Sequence, residues 1–116
     1  PFTIVLIDWS SQLTTYELVW DGMKQHFSKL SQEPKIWSSS TLYTEEEKEL
    51  RKIWFANWLE NDREINQEEI LKFHHNSEIG TSENSPKMKR SYVETVSITS
   101  VKKQASKVIM SYQDLV

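Results

Sequence analysis

The chain contains no cysteine. Disulfides, thiolate zinc sites, iron–sulfur clusters and a cysteine nucleophile are therefore excluded from these 116 residues. Glycine is nearly absent too, with only Gly22 and Gly80. A dinucleotide fingerprint or a phosphate loop needs glycines a few residues apart, so neither is present. The three histidines are His26, His74 and His75. The last two are adjacent, and neighbours on a helix point about 100° apart, which suits them poorly to one metal. No metal and no cofactor is expected. Long apolar runs are missing as well. A membrane-spanning helix needs about 18 apolar residues, and the longest early run, residues 2–7, has the length of a strand. That run also lacks the basic start and small-residue cleavage site of a secretory leader, so the expected compartment is the cytoplasm. The chain begins at Pro1 rather than at Met. It is expected to be either a processed start or a piece of something longer.

What is present describes one modest globular domain, or half of a larger one. Apolar residues are 37% and charged residues 27%, with a mean hydropathy of −0.62. Net charge is −3, from 14 basic and 17 acidic side chains. Residues 44–69 carry 4 basic and 9 acidic groups, whereas residues 70–116 carry 7 basic and 4 acidic. A nucleic-acid binder shows a strongly basic face, and an isoelectric point near 5.6 argues against one. No nucleic-acid partner is expected.

Residues 2–8 are apolar on both alternations, as in a strand covered on both faces. Residues 13–20 set Tyr16, Leu18 and Trp20 against Thr15, Glu17 and Val19, so the two segments read as a hairpin. Asp21-Gly22 has turn chemistry. Residues 23–30 fit a further strand or a short helix equally well. Residues 35–40 read as extended. Thr44-Glu45-Glu46-Glu47 is a capping box, in which threonine and glutamate each satisfy a free amide of the first turn. Leu50, Ile53, Trp54, Asn57 and Trp58 follow at helical spacing, with Phe55 and Leu59 widening the stripe, to an end near Asn61. Asn66 caps a second helix that stops near residues 74–76. Residues 76–90 read as a long, mobile polar loop. Residues 92–101 and 107–112 form a last hairpin around residues 102–106. The expected fold is α+β, with mainly antiparallel hairpins and a two-helix unit on one face.

Four features could carry chemistry. An N-terminal proline can serve as a base in the tautomerase superfamily, and Pro1 before an apolar strand is superficially similar. Those subunits run strand–helix–strand, however, while residues 13–20 alternate as a strand. Ser38-Ser39-Ser40-Thr41 offers hydroxyls for an anion or a nucleophile, but a serine nucleophile needs a base in reach and no G-x-S-x-G elbow exists. His74-His75 suits a helix C-terminus. Five tryptophans (Trp9, Trp20, Trp37, Trp54 and Trp58) could form stacking platforms, though Trp20, Trp54 and Trp58 fall where core packing accounts for them. If Trp9 and Trp37 are exposed, the chain would be a stand-alone binding or interaction module.

Several phrases in order resemble a known family. Pro1-Phe2-Thr3-Ile4-Val5-Leu6-Ile7-Asp8 precedes a hairpin ending in Val19-Trp20-Asp21-Gly22. Ile36-Trp37-Ser38-Ser39-Ser40-Thr41-Leu42-Tyr43 leads to a helix with Trp54-Phe55. Phe73-His74 follows, then Thr95-Val96-Ser97-Ile98-Thr99-Ser100, and a last strand with Met110, Tyr112 and Asp114-Leu115. This is similar to the C-terminal half of the NRDE/TANGO2 (transport and Golgi organisation protein 2) family in its bacterial form. The resemblance implies part of an Ntn-hydrolase-like αββα sandwich, two stacked sheets between helical layers. It implies a protein fragment without its own catalytic nucleophile, whose parent is an amide hydrolase or small-molecule carrier. The family's Asn-Arg-Asp-Glu motif and N-terminal cysteine belong to the first half and are not in this chain, which would be catalytically silent alone. The family's Leu-Ser-Asn segment falls on Trp37-Ser38-Ser39, and its Thr-Arg-Ser-Ser-Thr strand on Thr95-Val96-Ser97-Ile98-Thr99. Its asparagine is thus Ser39 and its arginine Val96. The implied pocket lining is Ser38, Ser39, Thr95, Ser97 and Thr99. The implied partners are the missing half or a second copy, with a small molecule in the pocket.

Overall fold

The computed structural model describes residues 1–61 and 64–116. Among them the chain is α+β, with five antiparallel strands in two sheets and two helices. It divides into two compact units, Pro1–Glu49 and Leu50–Val116.

The first unit is a meander of β1 (Phe2–Asp8), β2 (Thr14–Trp20) and β3 (Gln25–Leu30), with β2 in the centre. Residues 25–30 therefore take the strand alternative. The turn before them is built by Asp21, whose Oδ1 accepts the amides of Met23 and Lys24 at 2.7 Å each, while Gly22 supplies a φ of +101°. The register sets Ile4 opposite Leu18, and Leu18 opposite Phe27. Directly opposed residues share a face, and alternate residues along a strand switch faces. One face thus gathers Phe2, Ile4, Leu6, Tyr16, Leu18, Trp20 and Phe27, bordered by Asp8, Thr14, Gln25 and Lys29. The other gathers Thr3, Val5, Ile7, Thr15, Glu17, Val19, His26, Ser28 and Leu30. On the apolar face Tyr16 stacks on Phe27, with ring centroids 5.4 Å apart. That face is nonetheless open to solvent, with Phe2 52% and Phe27 60% exposed.

Residues 35–40 do not form the additional strand that an extended reading implies. They leave the sheet as irregular chain and end in a turn in which the amides of Leu42 and Tyr43 donate to Ser39 O. Serine side chains compete for backbone and neighbouring polar groups, and Ser38 to Ser40 favour such local bonds over a ladder. The turn delivers the chain to α1 (Glu45–Glu60). Its capping box is present in both directions: Glu47 N donates to Thr44 Oγ1 at 3.2 Å, and Thr44 N donates to Glu47 Oε2 at 2.8 Å. The boundary between the units falls after this first turn.

In the second unit, the rest of α1 is joined by α2 (Gln67–His75) and a hairpin of β4 (Ser97–Gln104) and β5 (Lys107–Asp114). Asn66 caps α2 by accepting Glu69 N at 2.9 Å. The core is aromatic. Phe73 is buried against Phe55 and Trp58, at centroid distances of 5.8 and 5.4 Å. Leu50 and Ile53, expected on the inner stripe of α1, are exposed, and Arg51 is buried in their place. Arg51 Nη1 donates to the carbonyls of Asn84 and Ser85, at 2.8 and 2.9 Å.

Those carbonyls belong to residues 76–90, which contain no helix or strand and yet hold much of the burial. Ser85 is fully enclosed, and Met88 is 5% exposed. The segment closes on itself through Ser85 N to Thr81 O at 2.9 Å, Lys87 N to Asn76 O at 2.9 Å and Ser85 Oγ to Lys87 O at 2.6 Å. Gly80, at φ +72°, lies against the Trp54 ring, where a Cβ would collide. The last hairpin lies further along the chain than expected: β4 begins at Ser97 rather than at residue 92 and runs on to Gln104, and β5 reaches Asp114. Its turn is the two residues Ala105 and Ser106, with Ala105 in the left-handed region at φ +52°. Residues 92–96 stay outside the strand and are tied back by the Lys89–Glu94 bridge, by Arg90 N donating to Val93 O and by Thr95 N donating to Met88 O.

Candidate functional site

The first unit contains a hollow of about 480 Å3 at the Phe2–Trp20 end of the sheet. Residues 37–40 cross beside it, and Ser38, Ser39 and Ser40 join Pro1, Phe2, Thr3, Val19, Trp20, Asp21 and Trp37 in its lining. Ser39 Oγ and Thr41 Oγ1 share a hydrogen bond of 3.0 Å. Ser40 Oγ accepts from Lys48 Nζ at 3.0 Å, and the same ammonium donates to Glu45 Oε1 at 2.6 Å. The one ionisable side chain in the lining is Asp21. Its two oxygens take the Met23 and Lys24 amides and His26 Nε2, and the Lys24 amide foremost, then His26, lowers its pKa to about 2.

Trp37 is held from two sides. Its indole N–H donates to Glu17 Oε2, and Lys35 Nζ, itself 3.0 Å from that oxygen, lies 5.2 Å over the ring centroid. The indole bond, and then Lys35, keep the Glu17 carboxyl below its ordinary value. Trp37 also borders a second hollow of about 540 Å3, to which Lys35, Glu33 and Gln32 belong. The ring is therefore a wall between a hydroxyl-lined hollow and a charged one.

The implied lining residues fall in both units. Ser38 and Ser39 line the first-unit hollow. In the second unit, Thr95 is occupied as a clip: its Oγ1 accepts Met88 N at 3.0 Å, and its amide donates to Met88 O at 2.9 Å. Ser97 opens β4 opposite Asp114, and Thr99 stands opposite Tyr112. Both share a face with Val101, Met110 and Val108, so this face is more apolar than its threonine and serine suggest. The other face of the hairpin meets α2, where Gln67 Nε2 donates to Ser100 Oγ at 2.8 Å and His75 Nε2 meets Gln113 Oε1 at 2.8 Å. Between them is a hollow of about 450 Å3 lined by Ile70, Leu71, His74 and residues 98–103. The His74 residue keeps much of its surface, yet its imidazole loses part of its hydration there. This loss of water, then Arg51, then His75, lowers its pKa.

Sequence reasoning singled out the serines and Trp37 but not Glu17, which anchors the Trp37 ring. The signal was available in the strand pattern, since Glu17 is a lone carboxylate among apolar neighbours. Pro1 does border the hollow, but the strands after it form a meander rather than a strand–helix–strand unit. Among the described residues no three His, Asp or Glu side chains are grouped to hold a metal ion, and no helix is long and apolar enough to cross a membrane. Comparison with protein-family models, with curated proteins and with solved structures finds no match to this chain.

Proposed function

We propose that this chain is half of a two-sheet αββα domain and performs no catalysis by itself. Within that class, the reading it supports best is the C-terminal half of an NRDE/TANGO2-like, Ntn-hydrolase-like protein, whose parent is an amide hydrolase or a small-molecule carrier. The observation that carries this is the open apolar face of β1–β3. Seven apolar side chains from three strands share it, and a folded protein rarely leaves so contiguous a patch to water. At roughly 25 cal/mol per Å2 of apolar surface, covering it is a large gain for whatever docks there. An inner sheet face awaiting its opposing layer accounts for that composition. The absence of cysteine agrees with a nucleophile supplied by the other half.

The test is the mass and sequence of the native gene product, together with the size of this chain in isolation. The reading expects roughly another hundred residues upstream, a domain's worth, beginning in cysteine and containing Asn-Arg-Asp-Glu. It expects this chain alone to self-associate or bind a hydrophobic dye. A native product that starts at Pro1 and is a dye-silent monomer overturns it.

A further inference from the structure

The hydroxyl-lined hollow of the first unit has a feature the half-domain reading does not use. Trp37 remains 37% exposed although its N–H is held by a carboxylate and one ring face is covered by an ammonium. A tryptophan that merely fills space buries its ring. One fixed in place with the ring still open is a pre-organised platform, because its rotamer entropy is lost before any ligand arrives. Beside it stand Trp20, also partly open, and the hydroxyls of Ser38, Ser39 and Ser40.

The charges define the occupant. Lys35 belongs to the hollow on the other side of Trp37, and Lys48 is engaged by Glu45 and Ser40. Asp21, the remaining ionisable side chain, has both oxygens engaged by three donors. No side chain of the lining is a cation for a phosphate or carboxylate, and Asp21, its one carboxylate, disfavours them. Ser39 and Ser40 already share one bond each, with Thr41 and Lys48, but a hydroxyl has one donor and two acceptor positions, so the serines can still match groups that both donate and accept. A volume of about 480 Å3 lies within the range of small-ligand sites.

We propose that this hollow binds a neutral hexopyranose, with a C–H face of the sugar stacked on Trp37 and its hydroxyls exchanging hydrogen bonds with Ser38, Ser39 and Ser40. The site is built wholly from first-unit residues and stands apart from the half-domain reading. A neutral aromatic nucleoside is the contrary occupant, since it could also stack.

The experiment titrates the full chain with glucose, galactose, mannose and uridine, following tryptophan emission. At least one hexose should shift the emission saturably, with a midpoint on the order of 1–10 mM. Trp37→Ala should weaken binding about tenfold or more, as loss of a stacking ring does. The Ser38→Ala, Ser40→Ala double variant should weaken it several-fold, and Trp58→Phe should leave it unchanged. Should Trp37→Ala fail to fold by circular dichroism, saturation-transfer NMR on the unaltered chain replaces it. The sugar ring C–H protons should then receive the strongest transfer. No response to any hexose, a response that survives Trp37→Ala, or tighter binding of uridine than of every hexose overturns the proposal.

Discussion

Two regions of this molecule reverse the usual association of apolar with inside. Strands β1 to β3 present seven apolar side chains on one face, and that face is open. Residues 76–90 read as polar loop from end to end, and they contain Ser85 and Met88, two of the most deeply enclosed side chains. The difference lies in how each region is completed. The loop satisfies its own backbone: Thr81, Asn76 and Lys87 carbonyls take loop donors, and Arg51 closes the Asn84 and Ser85 carbonyls from a helix 33 and 34 residues away. A polar segment can be buried once its donors and acceptors are paired. The sheet satisfies its ladder but not its apolar face, and nothing within the first unit covers that face. Burial in this chain therefore reports which surfaces have found their partner.

The sharpest break of this comparison is at Gly80. Gly80→Ala places a Cβ into the Trp54 ring and an L-residue at φ +72°, and should cost the second unit about 2–4 kcal/mol by denaturant unfolding. Next is Arg51→Leu, which strands the buried Ser85 carbonyl and the half-buried Asn84 carbonyl and should cost about 2–3 kcal/mol, read the same way. On the sheet the expectation inverts. Phe27→Lys removes a large apolar side chain, yet in the isolated chain it should cost no more than about 1 kcal/mol, the stacking on Tyr16, because most of the residue is already solvated. The same variant should lower dye binding and self-association, measured by fluorescence and light scattering.

The smallest effects are in acid, where the two units should separate. His74 has its folded pKa held below the ordinary 6.5, so its contribution is complete above pH 6.5 and declines as pH falls toward the folded value. Asp21 is lowered from 3.8 to about 2, so its contribution is complete above pH 4 and disappears between about pH 4 and 2. Proton NMR titration of the imidazoles and carbon NMR of the Asp21 carboxyl should show both midpoints displaced downward, the second unit weakening at the higher pH.

The sequence was legible where the signal is local. The Thr44–Glu47 box, the Asn66 cap and the alternation of β1 and β2 each rest on residues within a turn or a strand of one another, and each is present. The strand at residues 25–30 was ambiguous because Gln-His-Phe-Ser-Lys-Leu has little alternation of its own, and pairing with β2 decides it. The two-residue turn at Ala105 escaped notice because a left-handed residue is normally flagged by glycine or asparagine. Arg51 and Ser85 escaped for a different reason. Their bonds join residues more than thirty positions apart, and no periodicity encodes that. Of the candidate site, Ser38, Ser39 and Trp37 could be read from their run of hydroxyls and aromatic, but the Glu17 that fixes the ring comes from another strand.

The most direct measurement is hydroxyl-radical footprinting of the dilute chain, read residue by residue by mass spectrometry. Methionine is the internal standard, since Met23 and Met110 are 83% and 72% exposed while Met88 is 5% exposed. The account predicts rapid labelling of Met23, Met110, Trp20 and Phe27, with Met88 and Phe73 spared. A protected Trp20 and Phe27 together with an oxidised Met88 would mean that the sheet is covered and the loop is open, and would contradict it.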